Sequence, residues 1–330
     1  LAFREGMILQ IQDNQQTSGE GEIAPFEGVH QESLEQTEKT LIRLLEGEEE
    51  NNVENPSIRF GLEMAWNIYL SKIQHQNPTS KKDSFLPVNA LMTSDVENIE
   101  AFVQQQRKLG YKTIKIKVGV KPIKEEINRV LNLTHHLDDQ LILRLDANRA
   151  WAMDEALTFA QAIDHVSIEY CEEPLKNPNQ LKSFSEKSSM PIALDETVYE
   201  TESPELLPSA NIKALVLKPS RLGGWKSCKK WVNWALENKL QVTFSSCLES
   251  GMGLNWVALM NASMVPKPTP AGLDTFKMFQ TDLINPAFQV TKGIYSLPNE
   301  WPQFLYYHVV KIGSGKLNTD FFQDFEINPS

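Results

Sequence analysis

The chain has 330 residues, enough to bury a sizeable core in one large or two modest domains. An apolar fraction of 41% and an aromatic fraction of 9% exclude a disordered chain. The formal net charge of -11 argues against nucleic acid or an anionic membrane as the main partner. Cys171, Cys228 and Cys247 are odd in number, far apart and without CxxC spacing, which points to reduced thiols in the cytoplasm rather than a disulfide framework or a zinc site. No apolar run approaches the roughly 18–20 residues of a membrane span. The opening LAFREGMILQIQ has no signal-peptide architecture, and without an initiator methionine the numbering is read as starting inside a longer frame.

Residues 1–85 form one region. MILQIQ alternates as a strand does, and DNQQTSGEGEIAPFEG (13–28) reads as a Gly-rich polar loop. Helical periodicity follows in SLEQTEKTLIRLLEGEE, with Ser33 as its cap, and in PSIRFGLEMAWNIYLSKI. HQNPTSKKDS (75–84) is a loop or linker.

From residue 86 the rhythm changes. Short apolar runs recur as LPVNALM, TIKIKV, LILRLDAN, SIEYCEEP, PIALDET, ALVLKPS and QVTFSS. Helical stretches such as NIEAFVQQQRKLG, KEEINRVLNLTHHL, MDEALTFAQAI and WKSCKKWVNWALENK separate them. Such alternation predicts a parallel sheet with crossover helices. Seven units exceed the usual open sheet, and no GxGxxG loop follows the first strand. The α/β chain is therefore expected to form a barrel of about 200 residues over 86–289.

The polar residues at the strand ends carry the chemistry. Lys117, Asp146, Glu172, Asp195, Lys218 and Ser245 each end an apolar run, at spacings of 23 to 29 residues, about one βα unit. The C-terminal ends of barrel strands converge on one mouth. Three consecutive strands thus bring carboxylates together, and their mutual repulsion is relieved by a hard divalent cation such as Mg²⁺, or Mn²⁺ in its place. The plainer reading of each carboxylate is a helix cap in a βα loop.

IKIKVG (114–119) puts Lys115 and Lys117 on one face of a strand, with Ile114, Ile116 and Val118 on the other. At the mouth their charges are balanced by the site anions. Each ammonium is also expected to lower the pKa of the other, which suits a base near neutral pH. Lys117 on the second strand and Lys218 on the sixth face each other across an eight-stranded barrel. That pair suits proton abstraction next to a carboxylate, the pattern the enolase-superfamily sites exemplify. The flanking Lys108, Lys112, Lys121 and Lys124 read as solvated surface, not a phosphate patch.

The ordered set resembles the muconate-lactonizing-enzyme subgroup of the enolase superfamily. It comprises K-I-K at 115–117, D-A-N at 146–148, E-E-P at 172–174, D-E at 195–196 and Lys218. Within that subgroup, PSIRFGLEMA (56–65), LKPSRLGG (217–224) and FSSCLESGMGL (244–254) are similar to segments of the o-succinylbenzoate synthase family. The resemblance implies a modified (β/α)₇β barrel over 86–289 with an α+β capping domain over 1–85, completed by residues 290–330. It departs from dipeptide epimerases, which carry a D-x-D near the last strand where this chain has GLDTF. N-acylamino acid racemases share the KP-G-GG pattern, so racemase or epimerase activity is the alternative to dehydration.

The resemblance further implies roles. Asp146, Glu172 and Asp195 would bind Mg²⁺; strand alternation alone does not choose between Glu172 and Glu173, and the family pattern selects Glu172. Lys117 would act as base and then acid, Lys218 would stabilise the enediolate, and Lys115 would orient a small-molecule carboxylate substrate. Asn148 would position this network or cap the next helix. The loop GEGEIAPFEG (19–28) would close over the substrate through Phe26, or be an ordinary hairpin connection. Ser245 and Ser246 would contact substrate, as would Arg59 unless it is a plain helix-surface residue. Oligomeric state is not legible.

Overall fold

In the computed structural model, which describes residues 3–47, 53–75, 85–137, 140–208 and 210–305, seven parallel strands lie side by side in chain order. They are Ala90–Met92, Thr113–Lys117, Ile142–Asp146, Tyr170–Glu172, Ile192–Leu194, Ile212–Leu217 and Gln241–Phe244. An eighth segment closes the barrel through single parallel bridges. Gly272 pairs with Ser245 after the seventh strand, and Ala271 pairs with Val88 before the first. The α/β barrel expected from the strand–helix rhythm is thus the observed architecture, with helices such as Ile123–His135, Trp225–Glu237 and Gly251–Met264 around it.

Period-two alternation sorts the strand residues. Ile114, Ile116, Leu143, Leu145, Ile192, Leu194, Leu215 and Leu217 face outward into the large core shared with the helices. Tyr170, Ala193, Ala214 and Val216 form a small cluster of their own. Arg144 is fully buried: its guanidinium bonds Glu169 at 2.5 Å and the Pro270 carbonyl at 2.5 Å, and lies 5.0 Å over the Tyr170 ring.

Two expectations are corrected here. The run LPVNALM is not one strand: Phe85–Pro87 pairs antiparallel with Ile294–Ser296, Val88 makes the single closing bridge to Ala271, and Ala90–Met92 is the barrel strand. The stretch 13–28 is not one loop. Ser18–Ile23 pairs with Met7–Gln12 as the second strand of a hairpin, leaving 24–28 outside it. The glycines are there for close approach to the helix Pro56–Ile73. A Cβ on Gly21 would lie 1.9 Å from the Gly61 carbonyl oxygen, and one on Gly19 would lie 2.0 Å from that of Ala65. Met7, Leu9, Ile23, Leu41, Ile58, Leu62 and Trp66 form the core of this N-terminal unit. Ser33 caps the helix Leu34–Glu46 in a capping box with Gln36.

The N-terminal unit docks on the barrel through buried carboxylates at helix starts. Glu22 accepts from the Ser250 N–H at 2.8 Å, the Ser250 hydroxyl at 2.6 Å and the Gly253 N–H at 3.0 Å, at the start of Gly251–Met264. Glu63 accepts from the Trp225 N–H at the start of Trp225–Glu237. Helix N-termini offer free N–H groups and a positive dipole end, so both contacts are favourable. These helices follow the sixth and seventh strands, so the unit sits at the C-terminal end of the barrel. Gly224 admits Glu63: a Cβ there would lie 2.0 Å from its carboxylate. The C-terminal segment also reaches the unit, where the Trp301 indole N–H donates to Ser71 at 2.9 Å. Residues 306–330, and all of the expected 75–84 loop except His75, lie outside the described residues.

Gly21→Ala should cost about 2–3 kcal/mol, because backbone rather than a flexible side chain occupies the space. Urea unfolding measures this, and a loss below about 0.5 kcal/mol would contradict the packing.

Candidate active site

Parallel register brings the charged side chains to one level. Lys117 is paired with Asp146, and Asp146 with Glu172, across three adjacent strands. Lys115 Nζ lies 2.9 Å from Asp146 Oδ2 and 2.9 and 2.8 Å from the two Glu172 oxygens. On the opposite wall Lys218 Nζ donates to Asp195 Oδ2. Lys117 Nζ donates to Asn148 Oδ1 at 2.5 Å, and Asn148 Nδ2 donates to Glu196 Oε1 at 3.2 Å.

Burial alone would lower the pKa of Lys115, but Asp146 and Glu172 outweigh it and hold the group well above its ordinary value. Burial of Lys218 is outweighed in the same way, chiefly by Asp195. Asp146 is held below the usual carboxylate range: burial opposes this, and Lys115, Lys117 and Lys218 overcome it. Burial and the charge of Asp146 push Glu172 up, with Lys115 opposing. The expectation that neighbouring ammoniums lower one another is therefore corrected for Lys115. A carboxylate within about 3 Å exerts a stronger field than a second lysine farther away.

Glu172 and Glu173 divide the two faces between them. Glu173 takes the Asp195 N–H at 3.0 Å, the Thr197 N–H at 2.7 Å, the Thr197 hydroxyl at 2.9 Å and Arg149 Nε at 3.1 Å. Its oxygens are committed to holding two βα loops together. Asn148 and Glu173 both have left-handed φ, 41° and 43°, a conformation that bonds of this kind maintain.

The remaining candidates sit around the cluster. Ser245 Oγ donates to the Gly272 carbonyl at 3.4 Å and Ser246 Oγ meets Thr275 Oγ1 at 2.6 Å, so both hydroxyls tie the exit of the seventh strand to the stretch 272–275. Phe26 lies under the Arg4 guanidinium, 5.0 Å from it, and its backbone N–H donates to His30 Nδ1. Arg59, on the long N-terminal helix, stands against Gly223. Asp274 of GLDTF accepts from the Leu91 N–H at 3.2 Å and the Tyr111 hydroxyl at 2.6 Å, and pairs with Lys277 at 2.8 Å. Sequence reasoning overlooked His30, Ser220 and Glu249, which lie buried beside the mouth. The available signal was that Ser220 and Glu249 lie in the quoted segments LKPSRLGG and FSSCLESGMGL, whereas nothing in the sequence marked His30.

The donor set suits a divalent cation. Three carboxylates offer only hard oxygen atoms, and Asp195 Oδ1 is buried without a hydrogen-bond partner. As they stand, the lysines hold the carboxylates, and among the described residues no three Asp, Glu, His or Cys side chains group as a metal cluster.

Glu173→Ala should destabilise the fold by about 3 kcal/mol, since it leaves the buried N–H groups of Asp195 and Thr197 without an acceptor and removes one of the partners of Arg149. Chemical denaturation measures this, and a loss under about 1 kcal/mol would deny Glu173 its bracing role.

Comparison with known proteins bears on the family. A family model described as "Enolase C-terminal domain-like" matches residues 98–301, and one described as "MenC, N-terminal domain" matches residues 1–68. A relative from Vibrio cholerae named o-succinylbenzoate synthase is 33% identical over 298 residues, covering 87% of this chain and 86% of its own. One of the same name from Aliivibrio fischeri is 32% identical over 296 residues, covering 86% of each. Among solved structures, the L-Ala-D/L-Glu epimerase of Bacillus subtilis superposes with a TM-score of 0.77 at 22% identity, over 92% of this chain and 91% of its own. The muconate lactonizing enzyme of Pseudomonas putida gives 0.76 at 17% identity, over 91% and 90%. A dipeptide epimerase of Methylococcus capsulatus, complexed with Mg ion, gives 0.72 at 19% identity, over 90% and 92%. At these identities the structural matches speak to the fold, and the sequence matches to the family. The chain therefore belongs to the enolase superfamily and, within it, to the o-succinylbenzoate synthase family of lyases.

Proposed function

We propose that this enzyme catalyses the syn dehydration of 2-succinyl-6-hydroxy-2,4-cyclohexadiene-1-carboxylate to 2-succinylbenzoate, a step of menaquinone or phylloquinone synthesis. The observation that carries the reading is the pair Lys117 and Lys218 on the second and sixth strands, with carboxylates of the third, fourth and fifth strands between them. Relatives named o-succinylbenzoate synthase, 32–33% identical, support it.

Each residue has a task. Lys117 removes the proton beside the substrate carboxylate and then returns it to the departing hydroxyl, which leaves as water from the same face. Asn148 holds the Lys117 amine by accepting one of its N–H bonds. Lys115 stays charged between Asp146 and Glu172 and orients the substrate carboxylate. Lys218 remains a cation on the other face, near the charge that develops. Mg²⁺, or Mn²⁺, held by Asp146, Glu172 and Asp195, would supply further positive charge to the carboxylate as it takes on enediolate character. Residues 1–85 would serve as the cap and 86–289 as the catalytic barrel, with Phe26 covering the substrate.

Racemisation of an N-acylamino acid, or epimerisation of a dipeptide, is the second reading, because opposed lysines also suit two-base proton exchange. Against dipeptide epimerisation, the one aspartate near the last strand is engaged by Leu91, Tyr111 and Lys277.

Two experiments test the assignment. Lys117→Ala should lower dehydration at least about 10³-fold. Lys218→Arg, which keeps the charge without a usable base, should harm racemisation more than dehydration. A Lys117→Ala enzyme that dehydrates at the wild-type rate would overturn the acid–base role. Separately, Asp195→Asn should weaken Mg²⁺ binding in calorimetry and nearly abolish turnover, and unchanged affinity would remove Asp195 from the metal site.

A further inference from the structure

The segment from Ala24 to His30 is anchored at the barrel mouth by two sets of bonds. Arg4 supplies the first: its guanidinium donates to the carbonyls of Ala24, Pro25 (3.1 Å) and Leu248 (3.3 Å), the last just after the seventh strand. His30 supplies the second. The Phe26 N–H donates to His30 Nδ1 at 3.0 Å, so that nitrogen carries no proton and the ring proton is on Nε2. His30 Nε2 lies 3.3 Å from Ser220 Oγ. The Ser220 hydroxyl donates in turn to Glu249 Oε1 at 2.7 Å, and Glu249 Oε2 accepts from the Cys247 N–H at 2.6 Å.

Every bond in this chain has a consistent direction when the imidazole is neutral. Burial pushes His30 down to about 4, with Arg221 and Arg4 adding to the shift and Glu32 opposing it, so the ring is neutral near pH 7. The three side chains are buried, at 9%, 3% and 1% exposure for His30, Ser220 and Glu249. A buried polar chain with all members satisfied fixes one arrangement of the elements it joins. Here those elements are the segment after the N-terminal hairpin, the backbone two residues past Lys218, and the exit of the seventh strand.

We propose that His30 is a positioning residue: through Ser220 and Glu249 it latches the 24–30 segment to the exits of the sixth and seventh strands. It thereby holds Phe26 over the mouth and steadies the Lys218–Ser220 backbone. His30 touches no reacting atom and keeps its proton through turnover. Its effect on catalysis rests on the dehydration reading above, whereas the latch itself is measurable without substrate. A loosened cover reduces the fraction of enzyme competent to bind, so KM should change more than kcat.

The test compares wild type with His30→Ala, His30→Asn, His30→Gln and Ser220→Ala. Amide hydrogen exchange of residues 24–30 is followed on the full chain without substrate. KM and kcat are then measured with 2-succinyl-6-hydroxy-2,4-cyclohexadiene-1-carboxylate. His30→Ala should speed exchange of the 26–30 amides about tenfold, because two buried hydrogen bonds are lost. It should raise KM about tenfold and change kcat by no more than about threefold. Asn can accept from Phe26 and Gln can donate to Ser220, so each should restore part of the protection. Ser220→Ala cuts the chain from the other side and should reproduce the faster exchange; it also carries the test if His30→Ala does not fold. Unchanged exchange in both alanine variants would overturn the latch. So would a fall in kcat at constant KM, which would place His30 in the chemistry. If wild type fails to aromatise this substrate, the function assignment falls, and the exchange data still decide the latch.

Discussion

Lys115, Lys218 and three carboxylates are largely buried at one end of a barrel whose walls are apolar, and none of them can be left alone there. An unpaired buried charge costs several kcal/mol. The molecule meets this constraint by pairing across neighbouring strands: Lys115 between Asp146 and Glu172, and Lys218 against Asp195. Parallel register makes the pairing possible, because it sets Lys117, Asp146 and Glu172 in one row. The pairing also divides labour between the lysines. Lys115 and Lys218 are held charged by their partners, while Lys117 has the neutral amide oxygen of Asn148 as its bonded partner.

The same principle governs how the N-terminal unit meets the barrel. Glu22 and Glu63 are buried carboxyl groups that burial pushes up, Glu63 to about 8, and the backbone N–H groups at the start of a helix that meet each one offset part of that cost. Gly224 exists to admit one of these contacts, and Gly19 and Gly21 let the unit's own helix lie against its hairpin. Docking at the helix starts after the sixth and seventh strands places the 24–30 segment beside Lys218.

Much of this was legible in the sequence, for a definite reason. Strand alternation has a period of two, so Lys115 and Lys117 had to share a face, and about 25 residues per βα unit had to bring Asp146, Glu172, Asp195 and Lys218 to one end. The same alternation would have placed Arg144 on the face of Asp146. What stayed hidden depends on contacts or on very short pairing. The strand Ser18–Ile23 reads as a loop because glycine signals both a turn and a close approach. The eighth strand consists of single bridges at Ala271 and Gly272, too short for any pattern. His30 and Glu249 lie 219 residues apart and share only Ser220 between them. Alternation fixes which face a lysine takes, but not its distance from an anion, so the direction of the Lys115 shift could not be read in advance.

The central claim is that this cluster dehydrates a ring rather than inverting a stereocentre. The most direct measurement offers purified wild-type enzyme, with Mg²⁺, the cyclohexadiene substrate and an N-succinylamino acid in parallel. Ultraviolet absorbance follows aromatisation, and loss of optical rotation follows racemisation. Fast formation of 2-succinylbenzoate is the predicted result; efficient racemisation with no aromatisation would contradict it.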